Sequence, residues 1–353
     1  MTENPGLGEQ RILLLGCGAV GGVIAGGLLR GGHDLIIVAH NEEICSAVTA
    51  RGLDVTTPEG EWKVPASTFR RLDEVEGPFD VVLLAMKATE VEQAVRDVVG
   101  MLSKDGYLVT LQNGVVEDRV GEIVGRERVV GALVGWGATM HAPGVYEMTS
   151  EGELVVGELD GRVTKRVESL KVMLDSAVPT TISSNIYGVL WSKLAINCVI
   201  TTLGATTGQL LGEMLRQARI RRLGMLIASE VIDVAEAQGI ALEPVGGTLD
   251  IYRLYLPHGR RGDGFSLEVL LKHVILLVVG AKFSRLKSSM LQSLERGRRP
   301  EIEFMNGYVA ERGREKGVLT PVNEALTEMV LEIAAGRREM NPDNLQELMA
   351  EVI

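Results

Sequence analysis

The sequence predicts two domains of different class, an α/β domain over residues 9–185 and an all-α domain over residues 186–353. Three observations support this division. Short, continuously apolar segments alternate with helical patterns as far as residue 182, and a glycine-rich turn follows the first of them. From Ile186 onward only long helical patterns remain. A chain of 353 residues also exceeds what one ordinary core accommodates, so its length favours two domains as well.

The first elements are a buried strand and the glycine-rich turn that follows it. Residues 11–15 (RILLL) form a short apolar run, typical of a parallel strand buried on both faces. Next come the pattern G-x-G-x-x-G, a helical segment at 20–30 and a second strand at 35–38. In this context the pattern predicts a Rossmann-type dinucleotide-binding domain. The backbone expected to hold the pyrophosphate at the positive helix N-terminus belongs to Gly16, Cys17, Gly18, Ala19, Val20 and Gly21.

The alternation of strands and helices continues along the first domain. We expect strands at 79–86, 107–112, 129–134 and 180–182, helices at about 90–101 and 163–177, and at 138–158 a hairpin or meander that extends the sheet. Lys87 and Asn113 directly follow two of these strands. Ligands of a doubly wound sheet lie beyond the carboxyl ends of its strands, so both side chains are predicted to reach a bound cofactor. Their structural alternatives are a surface lysine and a helix-capping asparagine.

The residues after the second strand bear on the choice of nicotinamide cofactor. A carboxylate at this position would bind a ribose 2′-hydroxyl, whereas an arginine would bind a 2′-phosphate. The chain offers His40, Glu42 and Glu43, and the next basic residue is Arg51. A neutral histidine binds phosphate weakly and the two glutamates would repel it. The local chemistry therefore favours NAD over NADP.

The second domain is predicted to consist of helices. They are expected at 186–202, 210–239, 264–284, 301–316 and 321–335, with GRRGDG at 259–264 as a loop. Pro300 suits the start of a helix, and Glu301 and Glu303 in its first turn would complement the helix dipole. From the local pattern alone, this role explains Glu301 better than a chemical role does. The long apolar helix at 264–284 is a candidate for a homodimer interface.

Composition excludes several classes of function. The formal net charge is −11, from 47 acidic and 36 basic residues, which disfavours nucleic acid or an anionic membrane as a partner. The three cysteines (Cys17, Cys45 and Cys198) are scattered and show no metal-ligand spacing, so we predict no metal site and a reducing compartment. The polar N-terminus lacks the features of a signal peptide, and we expect a soluble, cytoplasmic protein.

The apolar stretch WSKLAINCVITT at 191–202 contains two isolated polar residues, Lys193 and Asn197. On a helix both project from the same face, and Thr201 continues the stripe. A solvent-facing stripe is the ordinary explanation of such a pattern. Lys193, however, begins the helical domain where the sheet ends, which favours a position lining a ligand cleft between the two domains.

These motifs together resemble the ketopantoate reductase (2-dehydropantoate 2-reductase) family. The shared segments run from the first strand to near the end of the chain: GCGAVG at 16–21, MK at 86–87, QNG at 112–114, WSKLAIN at 191–197, and SSMLQ…EIEFMNG at 288–307. The resemblance implies that the protein transfers a hydride from NADPH to a small-molecule substrate, a 2-oxo acid. It also implies roles for individual residues. Lys193 is the general acid, Asn197 and Ser289 contact the substrate, Glu301 hydrogen-bonds the reacting oxygen, and Lys87 and Asn113 lie near the nicotinamide and its ribose. Because Thr201 continues the same helix face, we predict that it also lines the substrate site.

Physical chemistry agrees with the implied role of Lys193. A hydride that adds to a carbonyl carbon leaves negative charge on the oxygen, which must be neutralised and protonated. A lysine in a mostly apolar cleft suits this step because desolvation lowers its pKa toward neutral pH. Asn197 could orient the carbonyl without adding charge, and Glu301 could orient Lys193.

Three positions depart from the family pattern. Thr201 stands where the family usually has asparagine, Leu286 where a polar residue is expected, and His40 where an arginine commonly contacts the 2′-phosphate. A pocket with fewer amides favours a more apolar substrate, so one alternative is an NADH-dependent D-2-hydroxyacid dehydrogenase of the same family. A non-catalytic, dinucleotide-binding redox sensor is the alternative from another class.

Overall fold

The structure, a computed structural model, describes residues 10–244, 250–258 and 266–352. It divides into two compact units between Val189 and Leu190. The first is an α/β unit with a mostly parallel sheet and the second is helical, which confirms the predicted fold class. The expected loop GRRGDG, residues 259–264, lies outside the described residues.

The first unit contains strands and helices, and its strands form two sheets. Its strands are β1 (Ile12–Leu15), β2 (Leu35–Val38), β3 (Leu53–Thr57), β4 (Gly60–Val64), β5 (Thr68–Phe69), β6 (Phe79–Leu84), β7 (Leu102–Thr110), β8 (Val129–Val134), β9 (Ala138–Ala142), β10 (Val145–Met148), β11 (Leu154–Glu158) and β12 (Thr180–Ile182). Its helices are α1 (Ala19–Arg30), α2 (Glu42–Arg51), α3 (Ala88–Val98), α4 (Glu117–Val124) and α5 (Lys165–Leu174). Eight strands form the main sheet in the order β12-β11-β8-β7-β6-β1-β2-β5. In this sheet, as far as the structure describes the chain, β8 and β11 are the one antiparallel pair.

The amino-acid sequences of the central strands explain why these strands are buried. β1 is apolar throughout and buried at all four positions, and Val81 to Leu84 of β6 are likewise buried. Continuous apolar runs of this kind are the signature of parallel strands covered by helices on both faces. The chain leaves β1 to one side through β2 and returns to the other side through β6, so the strand order reverses between β1 and β6. Ligands of such sheets bind at this reversal, beyond the carboxyl ends.

A second sheet corrects the prediction for residues 138–158. These residues do form strands, but β9 and β10 belong to a separate four-stranded sheet in the order β4-β3-β10-β9, and only β11 returns to the main sheet. The physical reason is that Tyr146 of β10 pairs with Val55 of β3 and is buried. An alternating pattern predicts a strand and its buried face but does not specify the partner strand. Strands β3, β4 and β5 were not predicted.

The second unit consists of helices. They are α6 (Ile186–Thr207, which begins just before the division), α7 (Leu211–Arg216), α8 (Ala218–Ala237), α9 (Leu267–Lys282), α10 (Ser289–Glu295), α11 (Asn306–Lys316), α12 (Pro321–Ala334) and α13 (Asp343–Val352). The expected helix at 301–316 begins only at Asn306, after a 3-10 turn at Ile302–Phe304. Helices α10 and α13 were not predicted.

The single long helix predicted at 210–239 is wrong. Gln217 adopts an extended backbone conformation and separates α7 from α8. The break is stabilised because Arg221, buried in the first turn of α8, donates from Nη1 to the carbonyl oxygens of Leu215 (2.7 Å) and Arg216 (2.8 Å). A charged side chain thus satisfies carbonyls that lose their helical partners at the end of α7.

Helix α6 is long and apolar enough to span a membrane by length and composition, with a mean hydropathy of 1.4 over its most apolar window. That window is 72% buried inside the protein. The core helix of a globular domain satisfies the same criteria, and most of α6 belongs to the second unit.

Candidate functional site

The glycine-rich turn joins β1 to α1, and at two of its glycines there is no room for a side chain. Gly16 has φ +99°, and a Cβ atom there would lie 2.7 Å from the backbone nitrogen of Met86. At Gly21 a Cβ atom would lie 2.1 Å from the carbonyl oxygen of Gly16. At Gly18, by contrast, a Cβ atom would meet nothing within 4 Å among the described residues. The turn is therefore packed against β6 on one side and open at Gly18, as a ligand-binding backbone requires.

The N-terminus of α1 is available to an anion. Gly18 is the N-cap residue, and among the described residues no side chain caps this helix. Ala19 and Val20, in the first turn, are half-buried, and Cys17 is buried. The first N–H groups of a helix lack intrahelical partners and carry partial positive charge. The residues predicted to hold a pyrophosphate thus form one continuous, uncapped turn that fits such a group.

The ends of β6 and β7 carry the two polar residues expected near the cofactor. Lys87 is the N-cap residue of α3 and Asn113 lies in the turn after β7, and both side chains are half-buried. Sequence reasoning missed their neighbour Gln112, which is buried. Its Nε2 donates to the carbonyl oxygens of Leu84 (2.9 Å) and Met86 (3.2 Å). Gln112 therefore ties the two strand ends together and fixes the backbone on which Lys87 and Asn113 stand.

The end of β2 contains an ion pair that the linear sequence does not show. His40 is exposed, and Asn41 accepts a hydrogen bond from the Ile44 N–H to begin α2. Arg70, directly after β5, pairs with Glu42 at 3.0 Å, and both side chains are largely exposed. Sequence reasoning missed Arg70 because it stands far along the chain. It reaches this position because β5 pairs with β2.

In the second unit, Lys193, Asn197 and Thr201 all lie on α6, each four residues after the last. This spacing places them on one face of the helix. Lys193 and Asn197 are half-buried, and Thr201 is buried. They are embedded among apolar residues of the same helix, since Trp191, Leu194 and Cys198 are all 1% exposed or less. The stripe is therefore not an ordinary solvated face.

Lys193 is a titratable group whose pKa this environment changes. Burial lowers the pKa of its ammonium group to about 8. Desolvation disfavours the charged form of a lysine, and burial is the cause of this shift. A lysine with this pKa is still mostly protonated at neutral pH and gives up its proton far more readily than an ordinary lysine. It can act as a general acid.

Thr201 and the start of α10 form part of the wall beside this face. The Thr201 hydroxyl donates to the carbonyl oxygen of Asn197 (2.7 Å) and lies 3.4 Å from the sulfur of Met305. Ser288, the N-cap of α10, is buried and donates from its hydroxyl to the Thr201 carbonyl oxygen (3.2 Å). Ser289, the residue predicted to bind substrate, is exposed in the first turn of α10. The structure thus engages Ser288 and Thr201 in the protein's own contacts and leaves the Ser289 side chain accessible.

Glu301 precedes a segment that is docked firmly on α6. The Glu301 side chain is half-buried, and its backbone carbonyl accepts from the N–H of Phe304 in a 3-10 turn. Beyond this turn, Asn306 accepts a hydrogen bond of 2.5 Å from the Thr202 hydroxyl and donates to the carbonyl oxygen of Cys198 (3.3 Å). The structure therefore fixes the segment that carries Glu301 against the helix that carries Lys193.

A buried polar network supports this segment from behind. Asn306 donates from Nδ2 to Oδ1 of Asn323 (2.9 Å), and Asn323 donates from Nδ2 to the carboxylate of Glu230 (2.7 Å). The same carboxylate accepts the backbone N–H groups of Val322 and Asn323 at the start of α12. A carboxylate at a helix N-terminus is stabilised by the dipole and by these hydrogen bonds.

Two family models, one for each unit, match this chain. The family model described as ketopantoate reductase PanE/ApbA matches residues 12–161, and the model described as its C-terminal part matches residues 185–334. Curated relatives named 2-dehydropantoate 2-reductase include those of Mesorhizobium japonicum, 28% identical over 93% of this chain and 99% of the relative, and Aquifex aeolicus, 24% identical over 91% and 96%.

Solved structures show the same fold. A PanE/ApbA family ketopantoate reductase from Ralstonia eutropha JMP134 superimposes with a TM-score of 0.78 at 28% identity, covering 93% of this chain and 99% of that one. D-Mandelate dehydrogenase in a ternary structure with NADH and anilino(oxo)acetate gives a TM-score of 0.77 at 20% identity, with the same two coverages. At this lower identity the likeness shows the fold alone.

Proposed function

The chain belongs to the ketopantoate reductase family, and we propose that it is an NAD(P)H-dependent oxidoreductase that reduces a 2-oxo acid, of the 2-dehydropantoate type, to the 2-hydroxy acid. The observation that carries this proposal is the environment of Lys193. This half-buried lysine has a pKa lowered to about 8 and shares one helix face with Asn197. The family assignment argues against the alternative of a non-catalytic sensor.

We assign cofactor binding to residues of the first unit and proton donation to a residue of the second. When bound, NAD(P)H supplies the hydride that adds to the substrate carbonyl carbon. The backbone from Gly16 to Gly21 holds the pyrophosphate, and Lys87 and Asn113 face the nicotinamide ribose. The ammonium group of Lys193 donates its proton to the carbonyl oxygen, which becomes the hydroxyl of the product, and Lys193 is left neutral. Half-burial of Lys193 limits competition by water for this hydrogen bond.

Asn197, Ser289 and Glu301 are proposed to orient the substrate. The Asn197 amide can hydrogen-bond the carbonyl or a substrate hydroxyl without adding charge. Ser289 is exposed, so its hydroxyl is accessible to a substrate carboxylate or hydroxyl. The Glu301 carboxylate can accept a hydrogen bond from the oxygen that is being protonated, or orient Lys193. Thr201 contributes to the wall, since its hydroxyl bonds Asn197 within the helix.

The direct test is a steady-state assay of the purified protein with 2-dehydropantoate and either reduced cofactor. We expect turnover with the wild type and a loss of at least about a hundredfold in Lys193→Ala, as general acid catalysis is typically worth that much or more. Turnover in Lys193→Ala equal to that of the wild type would contradict the assignment of the acid.

A more apolar 2-oxo acid is the second candidate substrate. The Thr201 hydroxyl is engaged by Asn197, and Met305 lies beside it, so this part of the wall offers a substrate hydroxyl little hydrogen bonding. A panel comparing 2-dehydropantoate with aromatic and branched 2-oxo acids separates the two candidates. A preference for 2-dehydropantoate of under about tenfold in kcat/KM would support the second.

For the cofactor we propose a preference for NADH. His40 is exposed, and Glu42 and Glu43 repel a 2′-phosphate. Arg70, the basic side chain that the fold brings to this position, is already paired with Glu42. Fluorescence titration with NADH and NADPH tests the preference, and tighter binding of NADPH would overturn it.

We also propose that the chain forms a cytoplasmic homodimer through one face of α9. Leu267, Leu271, Val274 and Val278 follow a helical spacing and are 72%, 57%, 48% and 61% exposed. Such a contiguous apolar stripe is unusual on a monomer and can pair with its own copy about a twofold axis. Light scattering should give a dimer for the wild type and for the control Leu319→Glu, and a monomer for Leu271→Glu. A monomeric wild type would refute the proposal.

A further inference from the structure

A tyrosine from the second sheet lies directly against the glycine-rich turn. Tyr146 of β10 is 1% exposed, and its hydroxyl donates a hydrogen bond of 3.0 Å to the carbonyl oxygen of Cys17. The same hydroxyl oxygen lies 3.2 Å from the Cys17 sulfur. Burial raises the pKa of the Cys17 thiol to about 11, so the thiol is neutral and donates to Tyr146 in turn. The two residues are therefore joined by two hydrogen bonds in a buried setting.

Two glycines inside α1 make this contact possible. A Cβ atom at Gly22 would lie 2.4 Å from three ring atoms of Tyr146, and one at Gly26 would lie 2.6 Å from Cγ2 of Val55 in β3. Glycine within a helix is unfavourable relative to alanine, so its presence needs a reason. Because these two residues have no side chains, α1 lies directly on β3 and β10, and the Tyr146 ring packs against Gly22 near the start of the helix. The glycines beyond the G-x-G-x-x-G motif thus have a packing role.

The hydrogen bond to Cys17 fixes the peptide group that follows it. In a planar trans peptide the carbonyl C=O and the next N–H point in opposite directions. With the Cys17 carbonyl held by Tyr146, the Gly18 N–H must point away from Tyr146. Space beside Gly18 is open among the described residues, and Gly18 is the N-cap of α1. Tyr146 therefore determines the direction of an N–H donor at the open side of the turn.

We infer that Tyr146 is a positioning residue for the dinucleotide pyrophosphate, acting through the backbone of Cys17 and Gly18 without touching the ligand. This inference rests on the proposed function only in that the ligand is NADH or NADPH. Without the hydroxyl, the buried Cys17 carbonyl oxygen loses its hydrogen-bond donor, and the peptide can rotate away from the orientation that binds a phosphate. Affinity for every ligand with a pyrophosphate should fall, whichever nicotinamide form it carries.

The test compares Tyr146→Phe with Tyr107→Phe as a matched control. Phenylalanine keeps the ring that packs on Gly22 and removes only the hydroxyl. Tyr107, in β7 of the same unit, also has a buried hydroxyl, but no hydrogen-bond partner for it is found within the described part of the chain. Dissociation constants for NADH, NADPH and ADP-ribose are measured by calorimetry, together with kcat, the KM for the 2-oxo acid and the melting temperature.

For Tyr146→Phe we expect the Kd of all three ligands to rise about fivefold to tenfold, the effect of one lost buried hydrogen bond. At saturating cofactor, kcat and the KM for the 2-oxo acid should stay within about twofold of wild type. Tyr107→Phe should leave every Kd unchanged. Equal ligand affinity in Tyr146→Phe and wild type would overturn the inference, as would a lower melting temperature with no change in Kd. A wild type that binds neither NADH nor NADPH would instead refute the proposed function.

Discussion

The pH dependence of catalysis gives the sharpest test of Lys193. If Lys193 is the proposed general acid, the reductive direction needs its protonated form, so activity should fall as pH rises through its pKa of about 8. A group with this pKa is about nine-tenths protonated at pH 7 and about one-hundredth protonated at pH 10. The reductive kcat/KM should therefore drop about ninetyfold over this interval. A lysine with an ordinary pKa would still be about three-quarters protonated at pH 10 and would cause a change of under about twofold.

The assay follows the loss of reduced-nicotinamide absorbance at low substrate concentration, where kcat/KM reports groups of the free enzyme. Lys193→Met serves as the test variant, since it keeps an unbranched side chain and removes the ammonium group. It should lose at least about a hundredfold in kcat and the pH dependence near pH 8. Because burial disfavours the charged lysine, the melting temperature of Lys193→Met at pH 7 should equal or exceed that of the wild type. Lys171→Met, at an ion pair on α5, is the control and should keep the wild-type profile.

Two results would refute this reasoning. One is a wild-type kcat/KM that is constant from pH 7 to pH 10. The other is a Lys193→Met enzyme with wild-type turnover, which would show that another group delivers the proton.

Three further changes have outcomes that the structure determines. Burial raises the pKa of Glu117 from 4.5 to about 7, so the folded state binds an extra proton and the free energy of unfolding falls as pH rises through this range. Glu117→Gln should reduce this fall by up to about 3 kcal/mol in urea titrations at several pH values, and an unchanged dependence on pH would contradict the prediction. Glu230→Ala leaves three buried N–H donors without their acceptor, so calorimetry should show a free energy of unfolding lower by about 3 kcal/mol or more, and a change under about 1 kcal/mol would be inconsistent. Glu42→Gln frees Arg70, so the ratio of NADPH to NADH affinity should rise by up to about fivefold, whereas Arg70→Gln should not raise it.

Much of the first unit could be predicted because its signals are local. The strand β1, the turn from Gly16 to Gly21 and the start of α1 follow from one short run of residues, in which Gly16 and Gly21 leave no room for a side chain. The shared face of Lys193 and Asn197 also follows directly from helical spacing. In these places local propensity and the final fold agree.

The errors arose where the outcome depends on a partner distant in sequence. Strands β9 and β10 were recognised as strands, but their sheet was decided by the pairing of Tyr146 with Val55. The break at Gln217 depends on Arg221, whose hydrogen bonds to the end of α7 leave no periodic signature. Periodicity predicts which face of an element is buried and carries no information about what covers it.

The sequence by itself determined the two-unit α/β and helical architecture, the glycine-rich turn and the family, because these depend on short-range patterns and contiguous motifs. Only the tertiary structure decided the lowered pKa of Lys193, the pairing of Arg70 with Glu42 and the contact of Tyr146 with Cys17, residues 129 positions apart. Desolvation, ion pairing and buried hydrogen bonds depend on distances across space, and a linear sequence specifies those only through the packing of the whole chain.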